Sequence, residues 1–278
     1  METSIMQQTD FTLSNGLNMP AIGLGVLNAQ DGKEVAQAVD YALRSGYRLI
    51  DTAAVYRNEL GVGMAIAQSE VPREEIFLTT KVWNSDQGYE QTLRAFDRSL
   101  AALQTDYIDL YLIHWPVAGL YKETWRALED LYTAGKVKAI GVSNFQVHHL
   151  EDLMATARIA PMVNQIEMHP WLQQHELRAF AEQEGIVLAA WRPIMMGRVN
   201  ELDTLWEIGR KYGKSAVQVT LRWLHQLGVV VIPKSVKEER ITQNAAIMDF
   251  DLSDQDMAAI SQLDRGQRLG PDPDNFNF

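Results

Sequence analysis

Short runs of consecutive apolar residues recur along the chain, separated by longer stretches whose apolar residues return roughly every three to four positions. The first pattern predicts buried strands, the second amphipathic helices. A small hairpin is predicted over Phe11 to Met19, with Ser14-Asn15-Gly16 as its turn. Strands follow at Ala21 to Gly25, Tyr47 to Ile50, Ile76 to Val82, Tyr107 to Ile113, Ala139 to Val142, Met162 to Ile166, Val187 to Ala190 and Val229 to Ile232. The stripe Val35, Val39, Ala42 and Leu43 marks a helix led by Asp31, and a second helix runs from about Asn58 to Gln68. Leu93, Phe96, Leu100 and Leu103 share one face of the next. Further helices pass through Trp125, Leu128 and Tyr132 to Gly135, through Leu150 and Leu153, and through Leu177 and Phe180 to Gly185. Two more, through Leu202, Leu205 and Ile208 and from Ser215 to Gln226, precede the last strand. Arg240 to Met248 reads as helical, and Ser253 with Asp256 resembles a capping box for a final helix ending near Leu263.

Strand and helix thus alternate eight times without a linker or a shift in composition. Several strands are apolar throughout, as expected where both faces of a parallel sheet are covered. This favours a single α/β domain over residues 1–278. Its expected form is a (β/α)8 TIM barrel with an N-terminal β-hairpin and an extra C-terminal helix and tail, rather than a doubly wound sheet plus a second domain. The tail Gly270 to Phe278 has no periodicity, so it is either a frayed end or a segment across the barrel mouth. A hydrophobic content of 46% over 278 residues suffices for one large core. The net charge of −11 argues against nucleic acid or an anionic membrane as partner. The absence of cysteine excludes disulfides and thiolate chemistry. Met1 to Asp10 lacks the basic and apolar regions of a signal peptide, and no apolar run approaches the ~18 residues of a membrane helix. A cytoplasmic monomer is the expectation.

In such a barrel, residues at the C-terminal ends of strands converge on one face. The strand ends here supply Asp51, Lys81, His114, Ser143-Asn144, Gln165, Trp191 and Lys234-Ser235, and Tyr56 stands in the loop after Asp51. A tyrosine hydroxyl titrates near 10 when unperturbed, roughly three units above neutral. An adjacent Lys81 ammonium should lower that value, Asp51 should hold Lys81 charged, and His114 can orient a carbonyl. Together they suit proton donation to an oxygen that becomes an alkoxide, which is carbonyl reduction. Taken singly, each has a plainer reading: a structural ion pair, a rim aromatic, a hydrogen-bonded core histidine. The convergence of four such groups on three successive strands carries the case. Lys234 and Arg240 flank a helix start, where free N–H groups already favour a phosphate. Gly23-Leu24-Gly25 lacks the third glycine of a dinucleotide fingerprint. His148-His149, His169, His175 and His225 lack metal-ligand spacing, so no metal is expected.

The sequence resembles the aldo-keto reductase superfamily over nearly its whole length. Gly46 to Glu59, Thr79 to Trp83, Leu112 to Pro116, Gly135 to Phe145 and Ile232 to Ser235 with Arg240-Ile241 and Asn244 are similar to successive family motifs. The length and the short segment after the seventh barrel strand look most like bacterial members, including 2,5-diketo-D-gluconate reductases. The resemblance implies NADPH-dependent reduction of an aldehyde or ketone, keto-sugar acids such as 2,5-diketo-D-gluconate among them. Tyr56 would be the proton donor, tuned by Lys81 and Asp51, with His114 orienting the carbonyl. Ser143, Asn144 and Gln165 would hold the nicotinamide carboxamide, and Trp191 would stack on the ring where many relatives have tyrosine. Lys234, Ser235 and Arg240 would take the 2′-phosphate, with Asn244 near the adenine. Val26, Leu27, Trp83 and Trp115 are the expected substrate pocket, Leu27 standing where relatives often place a bulky aromatic. Arg192 departs from the usual serine or glycine; it is expected on the cofactor pyrophosphate, or else pointing to solvent or pairing with an acid such as Glu201. Two other functions fit the barrel less well. One is an NADPH-sensing regulatory protein with slow turnover, the other a lyase or isomerase using the Lys81 amine as a Schiff base.

Overall fold

The apolar runs of the chain close into a ring. A computed structural model describes residues 10–278, so the expectation of no signal peptide falls, apart from Asp10, outside the described residues. Gly23–Gly25 (β3), Leu49–Asp51 (β4), Phe77–Val82 (β5), Ile108–Ile113 (β6), Val137–Ser143 (β7), Val163–Glu167 (β8), Val187–Trp191 (β9) and Val229–Val231 (β10) form one parallel sheet in chain order. Parallel bridges from Ile22 to Val231 and from Gly25 to Lys234 join the first strand to the last. Every residue of β5, β6 and β8 is buried, because one face packs into the barrel interior and the other against helices. The preceding hairpin pairs Asp10–Thr12 (β1) with Asn18–Pro20 (β2), Phe11 opposite Met19. Its turn residue Asn15 donates through Nδ2 to the Lys138 carbonyl at 2.9 Å, near the start of β7, so the hairpin covers the end opposite the strand C-termini.

The helices are Lys33–Arg44 (α1), Glu59–Gln68 (α2), Tyr89–Leu103 (α3), Tyr121–Thr133 (α4), Val147–Met154 (α5), His175–Glu184 (α6), Asp203–Tyr212 (α7), Ala216–Gln226 (α8), Glu238–Ala245 (α9) and Asp254–Ser261 (α10). Their periodic faces are buried as the spacing predicts; α1 buries Val35, Ala38, Val39, Ala42 and Leu43. Gly63 lets α2 reach the end of α3, since a Cβ there would lie 2.4 Å from the Leu103 carbonyl oxygen. Ser215 and Gln218 form a reciprocal capping box at the start of α8. At α10 the resemblance to a capping box is half realised. Ser253 Oγ accepts the Asp256 N–H, but the Asp256 carboxylate takes the Ser253 hydroxyl, and the Ser253 N–H goes to Tyr212.

The helix expected over Arg240 to Met248 is displaced. It starts at Glu238, with two acids in the first turn that suit the positive end of the helix dipole, and it stops at Ala245 because Ala246 leaves the helical region at ψ 63. Among the described residues no helix is long and apolar enough to cross a membrane.

Candidate active site

Asp51 ends β4, and the chain then turns through a short helical turn at Ala54–Tyr56 that stops on Arg57 in the left-handed region, φ 56. The turn brings Tyr56 back over the barrel mouth, edge-on to His114 at 5.8 Å between ring centres. Lys81, on β5, points inward with no exposed surface. Its Nζ donates to Asp51 Oδ1 at 2.6 Å and to the Thr52 carbonyl at 2.9 Å, and it lies 5.2 Å from the centre of the Tyr56 ring. The other Asp51 oxygen accepts from Gln165 Nε2 at 2.7 Å. His114 also stands edge-on to Trp83 at 5.1 Å. The four groups expected to cooperate therefore share one end of the barrel.

Their protonation follows from burial and neighbours. Burial raises the Tyr56 phenol above its ordinary value; Lys81 pulls it down and Asp51 pushes it up, and the balance is upward. This corrects the expectation of a lowered phenol, because the ammonium is shared with a carboxylate and desolvation exceeds what remains of its pull. Burial pulls the Lys81 ammonium down, but Asp51 and Tyr56 outweigh it, so Lys81 is raised and charged. Burial, and then Lys81, hold His114 well below the usual imidazole value, so the ring is neutral. Lys81, enclosed and charged, is no free amine for a Schiff base.

On the other side of the mouth, Ser143 Oγ donates to the Gln165 carbonyl at 2.8 Å. Asn144, held at φ 65, donates through Nδ2 to the His114 carbonyl at 2.9 Å and accepts the Trp191 indole N–H at 2.8 Å. A cleft of about 1110 Å3 connects Tyr56, His114, Trp83 and Trp115 with Trp191, Lys234, Ser235, Arg240 and Asn244. Lys234, Lys237 and Arg240 all face it, and they make no ion pair among the described residues. Arg240 sits in the first turn of α9, beside backbone N–H groups without helical partners. Unpaired cations at a helix start fit a phosphate-bearing ligand.

The expected substrate wall needs one correction. Leu27 lines the cleft and is 38% exposed, but Val26 is 1% exposed and belongs to the core. The chain turns directly after β3, where the Val26 N–H donates to the Asp51 carbonyl and its carbonyl accepts from Asn58, and this directs the side chain inward. Trp83 and Trp115 do line the cleft, and the aperiodic tail lies against them. Phe278 stacks on Trp83 at 5.8 Å with 6° between planes, and Phe276 and Phe278 each pack on Trp115 at 5.2 Å. Asn84 Nδ2 holds the Phe278 carbonyl oxygen at 2.9 Å. Of the two possibilities for the tail, the structure therefore selects the segment across the mouth.

Arg192 lines the cleft and does not pair with the expected acid, Glu201. Its Nη1 donates to the Leu269 carbonyl at 2.6 Å, while Glu201 pairs with Arg198. Asn84, Glu167, Phe276 and Phe278 were not singled out from the sequence. Only Glu167 carried a readable signal, as an acid two positions beyond Gln165 on a buried strand. His148 and His149 converge on Asp274, their Nε2 atoms 3.0 and 3.5 Å from its Oδ1. His149 Nδ1 accepts the Gln146 N–H at 3.1 Å, which leaves the ring proton on Nε2. That nitrogen donates to Asp274 and presents no lone pair to a metal.

Comparison with known proteins agrees with this architecture. Residues 13–265 match the model of the Aldo/keto reductase family. A glyoxal reductase of Bacillus subtilis is 56% identical over 266 residues, covering 96% of each chain. A methylglyoxal reductase, DkgA, of Escherichia coli is 45% identical over 272 residues, covering 96% of this chain and 98% of its own. The crystal structure of a Bombyx mori aldo-keto reductase in complex with NADP superimposes with a TM-score of 0.90 at 38% identity, covering 96% of each chain. The chain belongs to the aldo/keto reductase family.

Proposed function

We propose that the protein reduces a small, uncharged aldehyde or ketone with NADPH, and that Tyr56 gives the proton. The observation that carries the reading is the contact of a protonated phenol with a charged, buried Lys81 beside a neutral imidazole, at the mouth of a cleft whose other end is cationic. NADPH, when bound, would supply the hydride. Ser143, Asn144 and Gln165 would hold its carboxamide, Trp191 the ring face, Lys234, Ser235 and Arg240 the 2′-phosphate, and Asn244 the adenine. His114, neutral, offers a hydrogen bond that orients the carbonyl oxygen without competing for the proton. Tyr56 passes its proton to that oxygen as negative charge develops there. The Lys81 ammonium stabilises the phenolate left behind, Asp51 holds Lys81 charged and in place, and the phenolate regains its proton from water.

The lining of the substrate end narrows the substrate class. Leu27, Val55, Tyr56, Trp83, His114 and Trp115 carry no net charge there, and Asp51 is neutralised by Lys81. A carboxylate placed among these groups would lose its hydration without gaining a partner. The reading therefore favours small neutral carbonyls, such as the dicarbonyls for which the glyoxal and methylglyoxal reductases are named, over 2,5-diketo-D-gluconate. Tyr56→Phe tests the mechanism: kcat should fall by about three orders of magnitude or more while NADPH affinity stays close to wild type. Substantial aldehyde turnover by the Phe variant would remove Tyr56 from the role. A panel of neutral and anionic substrates tests the class, and a higher kcat/KM for the keto-sugar acid would overturn it.

A further inference from the structure

The indole of Trp191 is held from three sides. Its N–H is fixed at one end by Asn144 Oδ1, at 2.8 Å. At the other end the chain passes so close that a Cβ on Gly270 would lie 2.4 Å from Trp191 Cη2 and 3.0 Å from Cζ3. The Arg192 guanidinium stands over the ring, 5.4 Å from its centre. The residue that covers Trp191 is also the one that holds the tail, through the bond from Arg192 Nη1 to the Leu269 carbonyl.

A buried carboxylate completes the attachment. Glu167, 1% exposed, accepts the Leu269 N–H at 2.7 Å and the Gly270 N–H at 3.0 and 3.1 Å on its two oxygens. His169 Nε2 lies 3.1 Å from the same carboxylate. One peptide segment is therefore gripped at its carbonyl by a guanidinium and at its N–H groups by a carboxylate, both charge-assisted bonds. A second tie lies farther along the same side. Trp171 is flanked by Arg198, from the loop after β9, and by Arg265, from the segment between α10 and the tail, at 4.5 and 4.3 Å from the ring centre. Its carbonyl accepts the Arg265 and Gln267 N–H groups. Beyond Gly270 the same segment lays Phe276 and Phe278 on Trp115 and Trp83.

We propose that Arg192 and Glu167 are positioning residues that clamp Leu269-Gly270, so that a single strap sets both the Trp191 face and the aromatic cover of the substrate wall. A serine or glycine at position 192 would have no guanidinium to reach Leu269. Releasing the clamp frees Trp191 at its Gly270 end and lets Phe276 and Phe278 leave the tryptophans, so the cofactor and substrate ends of the cleft loosen together. The proposal rests on the reading of Trp191 as the wall for the nicotinamide, and its first measurement needs no turnover.

The test is hydrogen exchange of the 269–278 segment in the protein without cofactor, for Arg192→Met, Arg192→Lys and Glu167→Gln. One charge-assisted hydrogen bond contributes ~1.5–3 kcal/mol, so Arg192→Met should speed exchange there by ~10- to 100-fold and leave α1 unchanged. Arg192→Lys, which can still reach the Leu269 carbonyl, should stay within about threefold of wild type. In the Met variant KM for an aromatic aldehyde should rise severalfold, and NADPH quenching of tryptophan fluorescence should weaken. Gly270→Ala, acting from the strap side, should produce the same pair of changes and keeps the test open if a variant at 192 fails to fold. Unchanged exchange over 269–278 overturns the clamp. Faster exchange with KM and quenching both unchanged overturns the coupling. Absence of carbonyl reduction in the wild type would overturn the proposed function and leave the exchange result standing.

Discussion

Asp51 and Lys81 form an ion pair at 2.6 Å in which the lysine has no exposed surface and the aspartate 3%. Both partners make a further hydrogen bond: the ammonium also reaches the Thr52 carbonyl, and the carboxylate also takes the Gln165 amide. Such a pair adds little net stability over an apolar substitute, but breaking it leaves a buried charge without its counter-ion. Asp51→Ala should therefore cost about 3–5 kcal/mol in urea unfolding as well as activity. A loss of activity with an unchanged unfolding midpoint would show that Lys81 finds another partner.

The raised Tyr56 phenol carries a pH prediction. Proton donation needs the protonated form, which persists below the folded-state pKa and is lost as pH rises through it. Since that pKa lies above the ordinary phenol value and the His114 pKa lies well below the ordinary imidazole value, kcat/KM for reduction should be flat through neutral pH. Its alkaline limb should lie above about 10, because kcat/KM reports groups of the free enzyme. A limb between about pH 6 and 9 would mean that Lys81 outweighs burial after all.

Arg240 and Lys234 should set the cofactor preference. Removing one charge-assisted contact costs ~1.5–3 kcal/mol, so Arg240→Ala should weaken NADPH binding by ~10- to 100-fold and leave NADH nearly unchanged. Equal losses for both cofactors would place the guanidinium away from the 2′-phosphate. High salt should narrow the gap between wild type and variant, since both cations are exposed.

Leu27, directly after β3, borders the same cleft as Trp83 and Trp115. Leu27→Trp should lower kcat/KM for bulky ketones more than for small aldehydes, as a panel of graded sizes would show. A uniform effect would remove Leu27 from the pocket.

Much of this site was readable one segment at a time. Asp51, Lys81, His114, Ser143 and Gln165 all sit at or near the C-terminal ends of apolar runs, and strand direction alone places them on one face. Val26 was misplaced because the turn after β3 depends on Asn58, whose amide reaches back to the Val26 and Ala29 carbonyls. The last turn of α9 was overextended for a similar reason: the pattern of apolar residues continues while the backbone at Ala246 does not.

Hydrophobic period and strand-end chemistry are local properties, carried by neighbours a few positions apart, and they sufficed for the barrel, its order of strands and the meeting of Asp51, Tyr56, Lys81 and His114 at one end of it. The direction of the Tyr56 shift was beyond them, since it depends on how completely the folded protein removes water and on how one ammonium is divided between two partners. So was the role of Arg192, whose partner Leu269 lies 77 residues along the chain. The tail has no periodic face to announce its path. It is held by isolated bonds to Glu167 and Asn84 and by ring contacts with Trp83 and Trp115, and these partners come together only when the barrel closes.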